Sequence, residues 1–126
     1  MPTNPAFTAC LAVNDITETL DFYESLGFGV SRESISSDGV HLVFNGERMA
    51  FMVQPKTEAN AFLPQVAQDK PGASAFFYLD APDFDAACAK IRDQVEVLKE
   101  AEDGGYRMMY FRDPNGYAVA LSANAT

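Results

Sequence analysis

The chain repeats itself, and that repetition limits the folds open to it more than any other feature. "FTACLAVND" near the start and "ASAFFYLDA" past the middle are both short runs of small and apolar residues leading into an Asp. A helical pattern follows each run. In the first, Asp15 is placed as N-cap with Glu18 three residues on, and Ile16, Leu20, Tyr23 and Leu26 form one apolar stripe that Gly27 stops. In the second, Asp83 is the N-cap, and Phe84, Ala87, Cys88 and Ile91 make the stripe. Three strand candidates come after each helix: "FGVSRES", "GVHLVF" and "MAFMVQ", then "VEVLKE", "YRMMYF" and "YAVALS". The Asn-Gly pairs that turn the last two strands of each set, at 45 and 115, are seventy residues apart.

Two copies of β-α-β-β-β is the simplest account of this order. It predicts an α+β fold with helices on one face of a largely antiparallel sheet. The 126 residues form a single domain, with a first module over 5–55, a connector over 56–72 and a second module over 73–123. The connector, "PKTEANAFLPQVAQDKPG" with its leading Pro55, carries three prolines and at most a short helical turn at "LPQVAQ".

The last strand raises a question. In "RDPNGYAVAL" the turn chemistry of Asp113-Pro114-Asn115-Gly116 leads into a strand that is apolar or aromatic at every position. A half-buried strand would alternate with polar residues, so both faces of this one avoid water. One face meets a core. The other curls round a cavity or is closed by another subunit.

Composition narrows the partners. A net charge of −9 argues against nucleic acid and anionic membrane. The acidity favours a cationic ligand, though it is more simply a solubility feature. No apolar run approaches the length of a membrane span. The opening "MPTNPAF" lacks the order of a secretory leader, and two cysteines, Cys10 and Cys88, make no disulfide framework; both point to the cytoplasm. Cys88, on a helix stripe, reads as a buried structural thiol.

"LAVNDITETLDFYESLGFGV" in the first module, paired with "YFRDPNGYAVAL" in the second, resembles the vicinal oxygen chelate superfamily. That group includes glyoxalase I, extradiol dioxygenases and bleomycin-resistance proteins. The resemblance covers nearly the whole chain. It implies two βαβββ modules pairing into a cupped eight-stranded mixed sheet, with helices on the outer face and commonly two chains completing two cavities, hence a homodimer.

The resemblance also implies a divalent metal in the cup, held by His, Glu or Gln from the first and last strand of each module. Carried over position by position, the four ligands fall at Thr8, Phe51, Ser74 and Ala120. None is a good donor, and the immediate neighbours of each include no His, Asp, Glu or Gln. The expectation is therefore no metal, no cofactor and no catalytic residue. His41, the only histidine, lies on a predicted strand and reads as an ordinary strand histidine.

Strand alternation assigns the cup-facing side chains. Thr8, Cys10 and Ala12 line the first strand, and Met49, Phe51 and Val53 the fourth. Ser74, Phe76 and Tyr78 line the fifth, and Ala118, Ala120 and Ser122 the eighth; the seventh offers either Met108 and Tyr110, the pair favoured, or Met109 and Phe111. Aromatics, thioethers and a few hydroxyls suit a planar aromatic guest. The same residues also fit a filled core or a dimer interface. The reading favoured here is a metal-independent binder of the bleomycin-resistance type that sequesters an aromatic natural product, with a cationic one drawn by acidic residues such as Glu33, Asp38, Glu47, Glu58 and Asp103 at the rim. The alternatives are a metal-dependent lyase, isomerase or dioxygenase with a relocated site, and an accessory module whose apolar sheet a protein partner buries.

Overall fold

Asp15 opens the first helix as its residue type and position demand. Its backbone is extended, and its carboxylate accepts from the Glu18 amide at 2.9 Å. The helix α1 runs Ile16–Ser25 and ends in a Schellman motif: Phe28 N–H donates to the Tyr23 carbonyl at 3.2 Å and Gly27 N–H to Glu24 at 3.0 Å. Gly27 holds φ at +103°, which a side chain would resist. Asp83 caps the matching helix of the second half in the same way, accepting from the Ala86 amide at 3.2 Å.

The computed structural model describes residues 8–63, 76–103 and 106–123. In order, the elements are β1 (Cys10–Val13), α1, β2 (Gly29–Val30), β3 (His41–Asn45), β4 (Arg48–Pro55), α2 (Lys56–Phe62), β5 (Phe77–Asp80), α3 (Phe84–Gln94), β6 (Val97–Asp103), β7 (Tyr106–Arg112) and β8 (Ala118–Ser122). The ladders among the described residues form two mixed sheets of four, ordered β1-β4-β3-β2 and β5-β8-β7-β6. In each, the first strand lies parallel to the last and the other pairings are antiparallel. The repeated β-α-β-β-β order is thus present in both halves. Among the described residues no helix is long and apolar enough to cross a membrane.

Two elements differ from expectation. The second strand, predicted over 28–34, pairs only at Gly29–Val30. At Ser31 the amide still donates to the Leu42 carbonyl at 2.9 Å, but side chains take the return bonds: the Ser31 hydroxyl accepts from the Leu42 amide at 2.7 Å, and the Ser31 carbonyl accepts from His41 Nδ1 at 2.9 Å. The connector begins with a helix, α2, which follows β4 directly; Pro55 precedes it and Glu58 occupies its first turn. The turn predicted at "LPQVAQ" lies outside the described residues from Pro64 onward.

One core joins the two halves. From α1, Leu20, Phe22 and Tyr23 are buried, and from α3, Ala87, Cys88 and Ile91. The Phe22 ring lies 5.9 Å from Phe111 on β7, and the Tyr23 ring 5.0 Å from Phe51 on β4. Polar bonds stitch the same seam. Asn115 Oδ1 accepts from the Asn14 amide at 2.8 Å, Asn115 Nδ2 donates to Thr19 at 3.0 Å, and the Tyr117 hydroxyl donates to the Ala12 carbonyl at 3.0 Å. The turn that carries them has Gly116 at φ +93°, and Asp113 Oδ1 accepts from the amides of Asn115 and Tyr117. Turn residues 113–117 therefore also fasten one half to the other.

Candidate ligand cleft

The second sheet separates its side chains cleanly by register. Phe77, Val119 and Phe111 stand abreast, as do Leu79, Leu121 and Met109. Both sets face the core: Phe111, Met109, Val119 and Leu121 are buried, and Phe77 and Leu79 pack against them. The alternate positions form the other face. There Tyr78, Ala120, Tyr110 and Lys99 make one row across β5, β8, β7 and β6.

This second face is aromatic and open. Phe76 meets Tyr78 edge-on, with centroids 5.2 Å apart, and Tyr110 at 5.9 Å. Tyr78 is 66% exposed and Phe76 46%, an unusual presentation for rings of this size. Ala120, between the two tyrosines, is fully buried, so its methyl forms a covered floor. Here lies the answer for the final strand: one face of β8 meets the core, and the other meets a cluster of rings.

The rings also border a cleft of about 430 Å³ at the seam between the halves. Ala9 and Leu11 supply one wall, Ala50 and Phe51 another, and Phe76 to Leu79 the third. Such a volume lies within the range of small-molecule pockets. Tyr23 reaches it as well, but its hydroxyl is committed to Asp113 at 2.8 Å. Burial, and then the adjoining Asp113 carboxylate, push the Tyr23 phenol well above its ordinary pKa.

Of the residues singled out from the sequence, Phe76, Tyr78, Met108, Tyr110 and Ala120 share the open face of the second sheet. Phe51, Phe76 and Tyr78 line the cleft. Ser74 lies outside the described residues. Thr8 is exposed ahead of β1, and Cys10 is exposed in register with Met52. Cys10 and Phe51 therefore do not share a face, contrary to the alternation assigned above. Val53 sits beside Leu11, which puts Phe51 on the buried side, while a bulge at Ala50 sets Met49 opposite Phe44. Because β4 is apolar on both faces, its sequence carries no phase, and Ala50 was missed for that reason; Ala9, Leu11, Tyr23, Phe77, Leu79 and Val119 were missed because they reach the cleft only where the two halves meet.

The donors do not fit a divalent cation. Phe51 and Ala120 offer no lone pair, and Thr8 offers one exposed hydroxyl. Among the described residues no three His, Cys, Asp or Glu side chains stand close enough to share an ion. His41 is buried, and its Nδ1 donates to the Ser31 carbonyl. Burial, followed by the nearby Asp38 charge, raises the Cys10 thiol pKa, which opposes thiolate chemistry.

Comparison with known proteins places this geometry. No curated protein matches the chain. The solved structures it resembles include hypothetical protein SA1046 from S. aureus, with TM-score 0.75 and 16% identity over 98% of this chain and 96% of that one. TnmS3, an antibiotic binding protein from Streptomyces sp. CB03234, gives TM-score 0.69 and 23% identity over 98% of both chains. A superfamily member from Sphaerobacter thermophilus gives 0.66 and 20%, over 95% of this chain and 98% of that one. At these identities the likeness is one of fold. The family model described as "Glyoxalase/Bleomycin resistance protein/Dioxygenase superfamily" matches residues 6–121, nearly the whole chain, and the chain belongs to that superfamily.

Proposed function

We propose that this chain is a metal-independent small-molecule-binding protein of the glyoxalase/bleomycin-resistance type, which sequesters an aromatic natural product or antibiotic. The observation that carries the reading is the ring cluster of Phe76, Tyr78 and Tyr110 beside an apolar cleft, on the sheet whose ligand position holds Ala120. Stacked and edge-on rings give a planar guest flat contact area at little conformational cost. The similar fold of an antibiotic binding protein, TnmS3, supports it. Protection follows from mass action: drug held by abundant protein is withheld from its target. The protein works in the cytoplasm as a homodimer, with the modules at 5–55 and 73–123 cupped into one eight-stranded surface round the guest.

A thermal-shift screen of aromatic antibiotics tests this. A guest at a hundredfold its Kd stabilises the native state by about 2.7 kcal/mol, or roughly 10 °C in Tm for a chain of this size. Tyr78→Ala should abolish the shift without lowering the Tm of the free protein appreciably. In parallel, the stripped protein is dialysed against Ni, Zn, Mn and Fe(II). Stoichiometric tight metal binding, with turnover that a chelator stops, would overturn the reading in favour of an enzyme.

A further inference from the structure

The charge in the central row of the aromatic face differs in sign from that of the whole chain. The protein carries −9, yet the charged residue in the row Tyr78, Ala120, Tyr110 is Lys99. Its ammonium stands 6.0 Å from the centre of the Tyr110 ring. The ion pairs among the described residues engage Arg32, Arg92 and Arg107, and no described carboxylate lies within pairing distance of Lys99. Asp80 on β5, a carboxylate of the same face, accepts from the Ser122 hydroxyl at 2.8 Å. That strand is three strands from β6, about 14 Å by the usual spacing. Of the acidic residues expected at a rim, Glu33 and Asp38 sit on the loop after β2, Glu47 on the β3–β4 turn and Glu58 on α2, whereas Asp103 ends β6 in this sheet, opposite Tyr106 and four residues along the strand from Lys99.

We infer that the guest is an aromatic acid: its rings lie against Phe76, Tyr78 and Tyr110, and its carboxylate, sulfonate or ionised phenol meets the Lys99 ammonium. A cationic guest placed on the same rings would approach that ammonium and be repelled. This inference rests on the binding reading above and adds the sign of the ligand's charge. The contribution is that of a partly exposed ion pair, worth about fivefold in affinity at low salt. It falls as salt rises, because the Debye length shrinks to about 10 Å at 0.1 M.

Two fluorescent probes with one ring skeleton separate the terms. 1-Anilinonaphthalene-8-sulfonate carries the anion, and N-phenyl-1-naphthylamine lacks it. Both are titrated into the full chain, wild type, Lys99→Met and Tyr78→Ala, at low and high salt. Lys99→Met should weaken the sulfonate about fivefold and leave the amine within twofold, and high salt should erase the wild-type advantage. Tyr78→Ala should weaken both. If Lys99→Met shifts the two probes equally, or neither, the assignment of an anionic guest is overturned while the binding reading stands. If neither probe shows binding sensitive to Tyr78→Ala, the aromatic face is no binding site and both fall.

Discussion

The hydroxyl of Tyr23 donates to Oδ2 of Asp113 at 2.8 Å, closing a buried bond between residues ninety positions apart. It joins α1 of the first half to the turn before β8 in the second. The adjoining bonds from Asn115 and Tyr117 make it the centre of a fastening, not an isolated contact. Tyr23→Phe keeps the ring packed against Phe22 and Phe51 and deletes only the donor. The loss should be about 1–3 kcal/mol, because the carboxylate keeps its two amide donors but loses its third partner. Urea unfolding should show a lower midpoint with an unchanged m-value. An unchanged midpoint would mean the bond contributes nothing net.

Asp113 also gives stability a pH dependence of definite sign. Burial raises its pKa above the ordinary carboxylate range, although the bonds from Tyr23, Tyr117 and Asn115 pull the other way. The native state then holds this proton at pH values where the unfolded chain has released it. The group's contribution is greatest below the ordinary carboxylate pKa and is lost as pH rises through the raised one. In Asp113→Asn the amide oxygen still accepts from the backbone, and the titration is gone. The stability of wild type minus that of the variant should decline with rising pH across this window and level off above it. A difference that climbs with pH would show that the hydrogen bonds outweigh burial.

The two thiols should behave oppositely toward a disulfide reagent. Cys10 is exposed on β1, and Cys88 is buried on α3. One thiol per chain should react in the native protein and the second only on unfolding. Burial raises both pKa values, so the first reaction should be slower at neutral pH than that of a free peptide thiol. Two rapid equivalents from the native chain would contradict the packing of α3.

Helix starts were legible because they depend on local chemistry. Asp15 and Asp83 each carry the side chain that an orphan amide needs, and Gly27 the backbone freedom that a helix end needs. The repeat was legible because the order of patterns recurs. The phase of β4 was not, since Met49 to Val53 is apolar throughout and the bulge at Ala50 changes which residue faces which way. Nor was the short reach of β2, which ends where the Ser31 hydroxyl takes the Leu42 amide in place of the Ser31 carbonyl. The helix α2 has no side-chain cap, and Lys56 to Ala61 are exposed or half-buried, so no stripe or cap announces it. In the cleft, Phe76 and Tyr78 could be picked out by alternation on β5, whereas Leu11 and Leu79 enter it only because two halves meet there.

The fully covered Ala120, with Tyr78 and Tyr110 on either side of it, restricts how this protein could change trade. A histidine or glutamate installed at 120 must displace one of the rings that cover it. On the binding reading proposed above, a coordinating atom at this position would come at the expense of the aromatic walls. If that reading holds, selection on single substitutions would meet a valley between gripping a molecule and transforming one.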